Sequence, residues 1–144
     1  MNTHIGCSAT RFTALLPATP RGARQARLLA VGQAVAWGLD GEPVGMVVGE
    51  LAANAVTHGR VPGRVPGRDF RVVLGLAGRV LRIEVVDARG DRIPCPRDAD
   101  PGSEGGRGLV LVAALADRWG VEEGVTPCKA VWAELDLPGD RREP

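Results

Sequence analysis

An α/β fold of two layers is what this sequence predicts. Three stretches carry the apolar period of a helix, and five shorter ones alternate or run apolar as strands do. Two pairs of those strands are separated by short turns, which favour antiparallel pairing, so a mostly antiparallel sheet covered by helices is expected. At 144 residues, the chain can build one sizeable core but not two.

Residues 1–11 show no pattern and are expected to be loose. Phe12 to Leu16 is a short apolar run suited to a first, edge strand, stopped by Pro17 and Pro20. Thr19 before Pro20 reads as an N-cap with proline at the first helical position. From Arg21 to Trp37, Ala23, Ala26, Leu28, Val31, Ala34 and Val35 form an apolar face, with Arg21, Arg24 and Arg27 outside it. Those arginines either bind a partner or simply solvate the helix, and solvation is the commoner use. Gly38 ends this helix, and Leu39 to Pro43 turns the chain.

The central helix spans Val44 to His58. Val44, Val47, Val48, Leu51 and Ala55 make its buried stripe, while Glu50, Asn54 and His58, four apart, stack along a second face. Together these offer a proton acceptor, an oxygen ligand for a metal and a hydrogen-bond donor, or else a solvated polar face. Arg60 to Arg68 repeats a Val-Pro-Gly-Arg unit twice, which makes a loop of turns rather than a solenoid. Phe70 to Leu76 and Val80 to Asp87 alternate as strands around the tight turn Ala77-Gly78-Arg79. Asp87 closes the apolar side of the second strand, where a carboxylate is costly unless it is hydrogen-bonded. It serves either the following turn or a buried ligand, and Asn54 favours the ligand.

Residues 88–104 have no apolar period, and a loop of that length in a small domain reads as a lid or a disordered segment. It closes on Gly105-Gly106-Arg107-Gly108-Leu109, which opens a helix expected to reach Arg118. Backbone N–H groups at such a helix start attract anions. The turn is neither a Walker A loop nor a Rossmann fingerprint, since both spacings fail. Trp119 to Val121 and Lys129 to Leu137 supply the last strands, and a charged tail runs from Pro138 to 144.

Composition narrows the partners. A formal net charge of +1 points away from nucleic acid and from anionic membranes. Lys129 is the only lysine, an arginine bias that reflects a GC-rich coding sequence rather than a function. Three cysteines in no metal spacing suit reduced thiols, and neither a signal peptide nor a spanning segment is read, so a cytoplasmic location is expected.

Taken in order, Glu50-x-x-x-Asn54, the strand ending in Asp87, the long loop and Gly106-x-Gly108 resemble the GHKL ATPase superfamily, which includes gyrase, sensor histidine kinases and mismatch-repair ATPases. The wording of the motifs and the short length look most like its anti-sigma-factor serine/threonine kinase branch, with similarity from about Phe12 to Leu137. The resemblance implies a GHKL ATP-binding domain over residues 12–137, a mixed, mostly antiparallel sheet with three helices on one face. It implies ATP and Mg²⁺ as cofactors, with Glu50 as general base, Asn54 as metal ligand and Asp87 as acceptor from the adenine amino group. The nucleotide site would be completed by His58, Gly90, Gly105, Gly106, Arg107, Gly108 and Leu109. His58 contacts a phosphate or caps the last carbonyls of its helix, two uses open to it equally.

Two departures from the family pattern stand out. The usual Asp-x-Gly is Asp87-Ala88-Arg89-Gly90 here, with the glycine one step later, which alters the way into the lid. Where the family tends to place Gly with a nearby Thr, this chain has Cys128-Lys129-Ala130, which weakens that side of the adenine pocket. The implied activity is a Mg²⁺-ATP-dependent protein kinase acting on an anti-anti-sigma-type antagonist. The alternative is a nucleotide-dependent module that sequesters a sigma factor or another partner. A homodimer is a further expectation, from base rate and resemblance.

Overall fold

The computed structural model describes residues 4–7, 10–59, 69–87, 104–123 and 129–138. In chain order these form β1 (His4–Cys7), β2 (Arg11–Pro17), α1 (Pro20–Ala36), α2 (Gly41–Gly59), β3 (Asp69–Ala77), β4 (Val80–Asp87), α3 (Glu104–Leu115), β5 (Arg118–Glu123) and β6 (Lys129–Asp136). The six strands make one sheet in the order β1-β2-β3-β4-β6-β5. Every pairing is antiparallel, so the mostly antiparallel sheet has no parallel component among the described residues.

Two boundaries are corrected at the start of the chain. His4–Cys7, patternless in sequence, pairs with β2 through His4↔Leu15 and Cys7↔Phe12. Consequently β2 lies inside the sheet rather than at its edge. A four-residue strand is too short to show alternation, so backbone pairing places it where side-chain pattern does not.

Helix α1 begins as its sequence requires. Thr19, extended at φ −133, accepts a hydrogen bond at Oγ1 from the Gly22 N–H at 2.9 Å. A Cβ on Gly22 would lie 1.9 Å from the Pro17 carbonyl oxygen, so only glycine lets the helix start so close to the end of β2. At the other end Gly38 has φ 82. Its N–H reaches Val35 O at 2.9 Å and the Leu39 N–H reaches Ala34 O at 2.8 Å, the paired bonds of a Schellman stop.

Helix α2 starts three residues earlier than its apolar stripe suggests. Asp40 Oδ1 accepts from the Glu42 N–H at 3.1 Å, and Pro43 sits in the first turn, where its missing N–H costs nothing. Val44, Val47, Val48, Leu51, Ala52, Ala55 and Val56 are buried, one stripe wider than the sequence pattern by Ala52 and Val56. A second stripe, Gly41, Gly45 and Gly49, faces α1. A Cβ would lie 2.9 Å from a Val31 methyl at Gly41 and 2.7 Å from the other at Gly45. The absence of side chains there allows the two helices to pack nearly backbone to backbone.

The β3–β4 hairpin turns at Gly78, φ 60, between the paired Ala77 and Val80. Positive φ at the first central residue suits a II′ turn. Helix α3 begins at Glu104 and stops at Leu115, not Arg118, because Arg118 is already paired with Glu134 in the sheet. The helix-facing side of the sheet carries Phe12, Ala14, Leu16, Phe70, Val72, Leu74, Leu81, Ile83, Val85, Val131, Ala133 and Leu135, all buried in one core with the helices. No helix among the described residues is long and apolar enough to cross a membrane.

Candidate functional site

The core is apolar with two exceptions. Among the described residues the buried polar side chains are Asn54, 5 % exposed, and Asp87, 8 % exposed. Asp87 is the last residue of β4 and shares the face of Leu81, Ile83 and Val85, opposite Phe70 of β3 and Lys129 of β6 in register. Helix α2, which carries Asn54, packs against β3 and β4. Asp87 therefore lies on the sheet face that α2 covers, and Asn54 is buried on that same helix, which also packs against α1 and α3.

Asn54 is the stronger anomaly. Its Nδ2 is buried and has no hydrogen-bond partner among the described residues. Leaving such a donor unpaired costs about 1–3 kcal/mol, so an amide kept there calls for a partner beyond the described residues, which a bound ligand would supply. An amide presents either end by half a turn about its last bond, and its oxygen is a suitable ligand for a hard cation. The described residues contain no cluster of three or more His, Cys, Asp or Glu side chains able to hold a metal by themselves. A single amide fits an ion that takes most of its other oxygens from a ligand and from water, as Mg²⁺ does.

Glu50 lies one turn before Asn54, about 40° round the helix from it. It is half-buried in a groove of about 420 Å³ between α1 and α2, whose walls include Arg24, Arg27, Ala53 and Thr57. Asn54 does not line this groove. Of the expected face, Asn54 is buried and Glu50 is half-buried along the groove. His58 belongs to the last turn of α2. Arg24 and Arg27 are exposed, as the pattern predicts, and line the same groove where α1 meets the glycine face of α2. The four-residue spacing of Gly41, Gly45 and Gly49 was the sequence signal for this, because such a stripe marks the face another helix approaches.

The glycine-rich turn is helical from its start. Gly105, Gly106, Arg107 and Gly108 all fall within α3, the first three in its opening turn, where backbone N–H groups have no intrahelical acceptor. An anion is favoured at that end. Leu109 is 1 % exposed and belongs to the core, so its side chain anchors α3 and only its backbone can face a ligand. Gly90, Arg60 to Arg68 and Cys128 lie outside the described residues.

Residues 16–134 match the family described as histidine kinase-like ATPase domain. The chain belongs to that family. Its match runs from the end of β2 into β6 and so includes every candidate residue named above. Membership makes this a GHKL-type, ATP-binding domain, and the α/β architecture with an antiparallel sheet and three helices agrees with that fold. No curated protein matches the chain closely enough to narrow the family further.

Proposed function

We propose that this ATP-binding domain is a regulatory protein serine/threonine kinase of the anti-sigma-factor type, using Mg²⁺-ATP over residues 12–137 in the cytoplasm. Its substrate would be an anti-anti-sigma-type antagonist, and its regulated partner a sigma factor. The observation that carries the reading is the buried amide of Asn54, unpartnered among the described residues, with Asp87 buried on the sheet face under the same helix and a carboxylate one helical turn away at Glu50.

Each residue has a task in that scheme. Asp87 accepts from the adenine amino group and so fixes the base. Opening-turn N–H groups of α3, at Gly105, Gly106 and Arg107, hold phosphate oxygens, and Gly108 keeps the backbone accessible. His58, in the last turn of α2, would contact a phosphate or cap the helix carbonyls. Asn54 would hold Mg²⁺ through its amide oxygen, and the ion when bound neutralises phosphate charge. In the transfer, the substrate hydroxyl oxygen bonds to the γ-phosphorus, the bond from that phosphorus to the ADP oxygen breaks, and Glu50 takes the hydroxyl proton.

One observation favours the second reading, a nucleotide-dependent binder without turnover: Glu50 lines the α1–α2 groove while Asn54 does not. Glu50→Gln separates the two. Mg²⁺-ATP binding, measured by titration calorimetry, should hardly change, because the mutant keeps the shape of the side chain. Labelled phosphate transfer to an antagonist protein should fall by about 10²–10⁴. A wild type that binds ATP and transfers nothing to any antagonist leaves the binder as the function.

A further inference from the structure

We propose that Lys129 is a second base-reading residue of this site, its ammonium donating to the adenine ring nitrogen N1 while Asp87 accepts from the neighbouring amino group. The inference rests on the adenine role given to Asp87 above and adds a specificity-determining residue to it.

The placement comes from strand register. Strands β4 and β6 pair with Asp87 directly opposite Lys129 and Val86 opposite Ala130. Residues opposite one another share a face of the sheet, with Cβ atoms about 4.5–5.5 Å apart. Along β6 that face continues through Val131, Ala133 and Leu135, all buried in the core under the helices. Ala130 belongs to the other face, between Val86 of β4 and Glu122 of β5. Of these two positions, then, only 129 stands in the row of Asp87. The pocket side expected to be weakened by Cys128-Lys129-Ala130 gains a cationic donor at that position, and Ala130 has no part in it.

The chemistry of the base fits the pair. Adenine sets a donor, its amino group, beside an acceptor, N1. Reading both atoms requires an acceptor beside a donor, which a carboxylate and an ammonium on neighbouring strands supply. Guanine carries the reverse order, a carbonyl beside an N1–H, so both protein groups meet the wrong partner. Asp87 alone reads one atom, whereas Asp87 with Lys129 reads two. Lysine suits the task because its three donors sit on a flexible stem, so one can stay on a carboxylate while another serves the base. Lys129 also stands opposite Glu123 of β5 in register. An ammonium that merely joined the two carboxylates would be indifferent to N1, and that difference is measurable.

Titration calorimetry with ATP, GTP and 1-deaza-ATP, in which a C–H replaces N1, tests this on wild type, Lys129→Met and Asp87→Asn. Far-UV circular dichroism confirms that each variant is folded. Lys129→Met should weaken ATP by about tenfold or more, the worth of a charge-assisted hydrogen bond, and should not weaken GTP. Wild type should bind 1-deaza-ATP about as weakly as the methionine variant binds ATP, and the variant should lose nothing further on that analogue. Lys129 is the only lysine, so its acetylation by an amine-reactive reagent, followed by mass spectrometry, gives an independent reading on the wild type. ATP should protect it, and GTP at the same concentration should not. The inference alone is overturned if Asp87→Asn discriminates between ATP and GTP as expected while Lys129→Met binds ATP like wild type. It is overturned equally if that variant loses ATP and 1-deaza-ATP to the same extent, or if ATP leaves the acetylation unprotected. Equal loss of ATP and GTP in Asp87→Asn overturns instead the adenine reading beneath it.

Discussion

Strand β4 has two faces that treat charge in opposite ways. Towards the helices it carries Leu81, Ile83, Val85 and finally Asp87; towards the outside it carries Arg82, Glu84 and Val86. The outer polar groups are satisfied by one another. Arg82 donates to Glu84 at 2.7 Å and to Glu134 at 3.0 Å, and its guanidinium lies 4.4 Å from the Trp132 ring centre. Arg118 donates to Glu134 at 2.8 Å and pairs with Asp136. These contacts hold the Glu134 carboxyl below its ordinary range, Arg118 contributing most and Arg82 next. On the inner side an amide donor, Asn54 Nδ2, has no partner among the described residues. The outer groups complete one another, whereas the buried Asn54 amide is left to be completed by the ligand proposed above.

The contrast is tested most strongly at Asp87. Asp87→Asn should weaken ATP by about 1.5–3 kcal/mol, roughly ten- to a hundredfold, the worth of a hydrogen bond to a charged group. GTP, which presents a carbonyl where adenine presents its amino group, should lose little. Equal losses for both nucleotides in calorimetric titration would reduce Asp87 to a structural role. At Asn54 the sign for stability reverses. Asn54→Ala removes the orphan donor and improves helix propensity, so the nucleotide-free protein should gain about 1 kcal/mol in a denaturant melt. The same variant should lose the Mg²⁺ dependence of ATP binding. A destabilised Asn54→Ala protein would mean that the amide is already satisfied by the fold.

Outer-face changes should be smaller and should leave ATP alone. At Gly120 an added Cβ would lie 2.9 Å from the indole of Trp132. Gly120→Ala should therefore cost about 1 kcal/mol by lifting that ring and the arginine over it. Acid should have the least effect. Because the folded Glu134 carboxyl is depressed, its contribution is complete above the ordinary carboxylate range and disappears as pH falls through the depressed value. Solvent screening keeps this below about 1 kcal/mol. The pH dependence of unfolding in Glu134→Gln, compared with wild type between neutral pH and pH 3, would isolate it.

Period and turn chemistry made much of this molecule readable in advance. Helix α2, the β3–β4 hairpin at Gly78 and the burial of Asp87 all follow from alternation, helical spacing and one glycine with positive φ. What sequence missed depended on partners distant in the chain. His4–Cys7 is a strand because β2 offers it a backbone ladder, and Arg118 leaves α3 because Glu134 holds it in the sheet. For the same reason the groove that the exposed Arg24 and Arg27 share with Glu50 appears only once α1 is laid against the glycines of α2. Helical spacing grouped Glu50 with Asn54, but only the packing of α1 shows that Glu50 lines a groove while Asn54 is buried.

The close fit of α1 on α2 has a mechanical meaning. With Val31 occupying the space where side chains at Gly41 and Gly45 would be, neither helix can roll or advance by a turn over the other without collision. The pair behaves as a single stiff plate with Leu28 on its rim and Glu50 in its seam. A load applied to the outside of α1 would be delivered to the carboxylate with little lost in between.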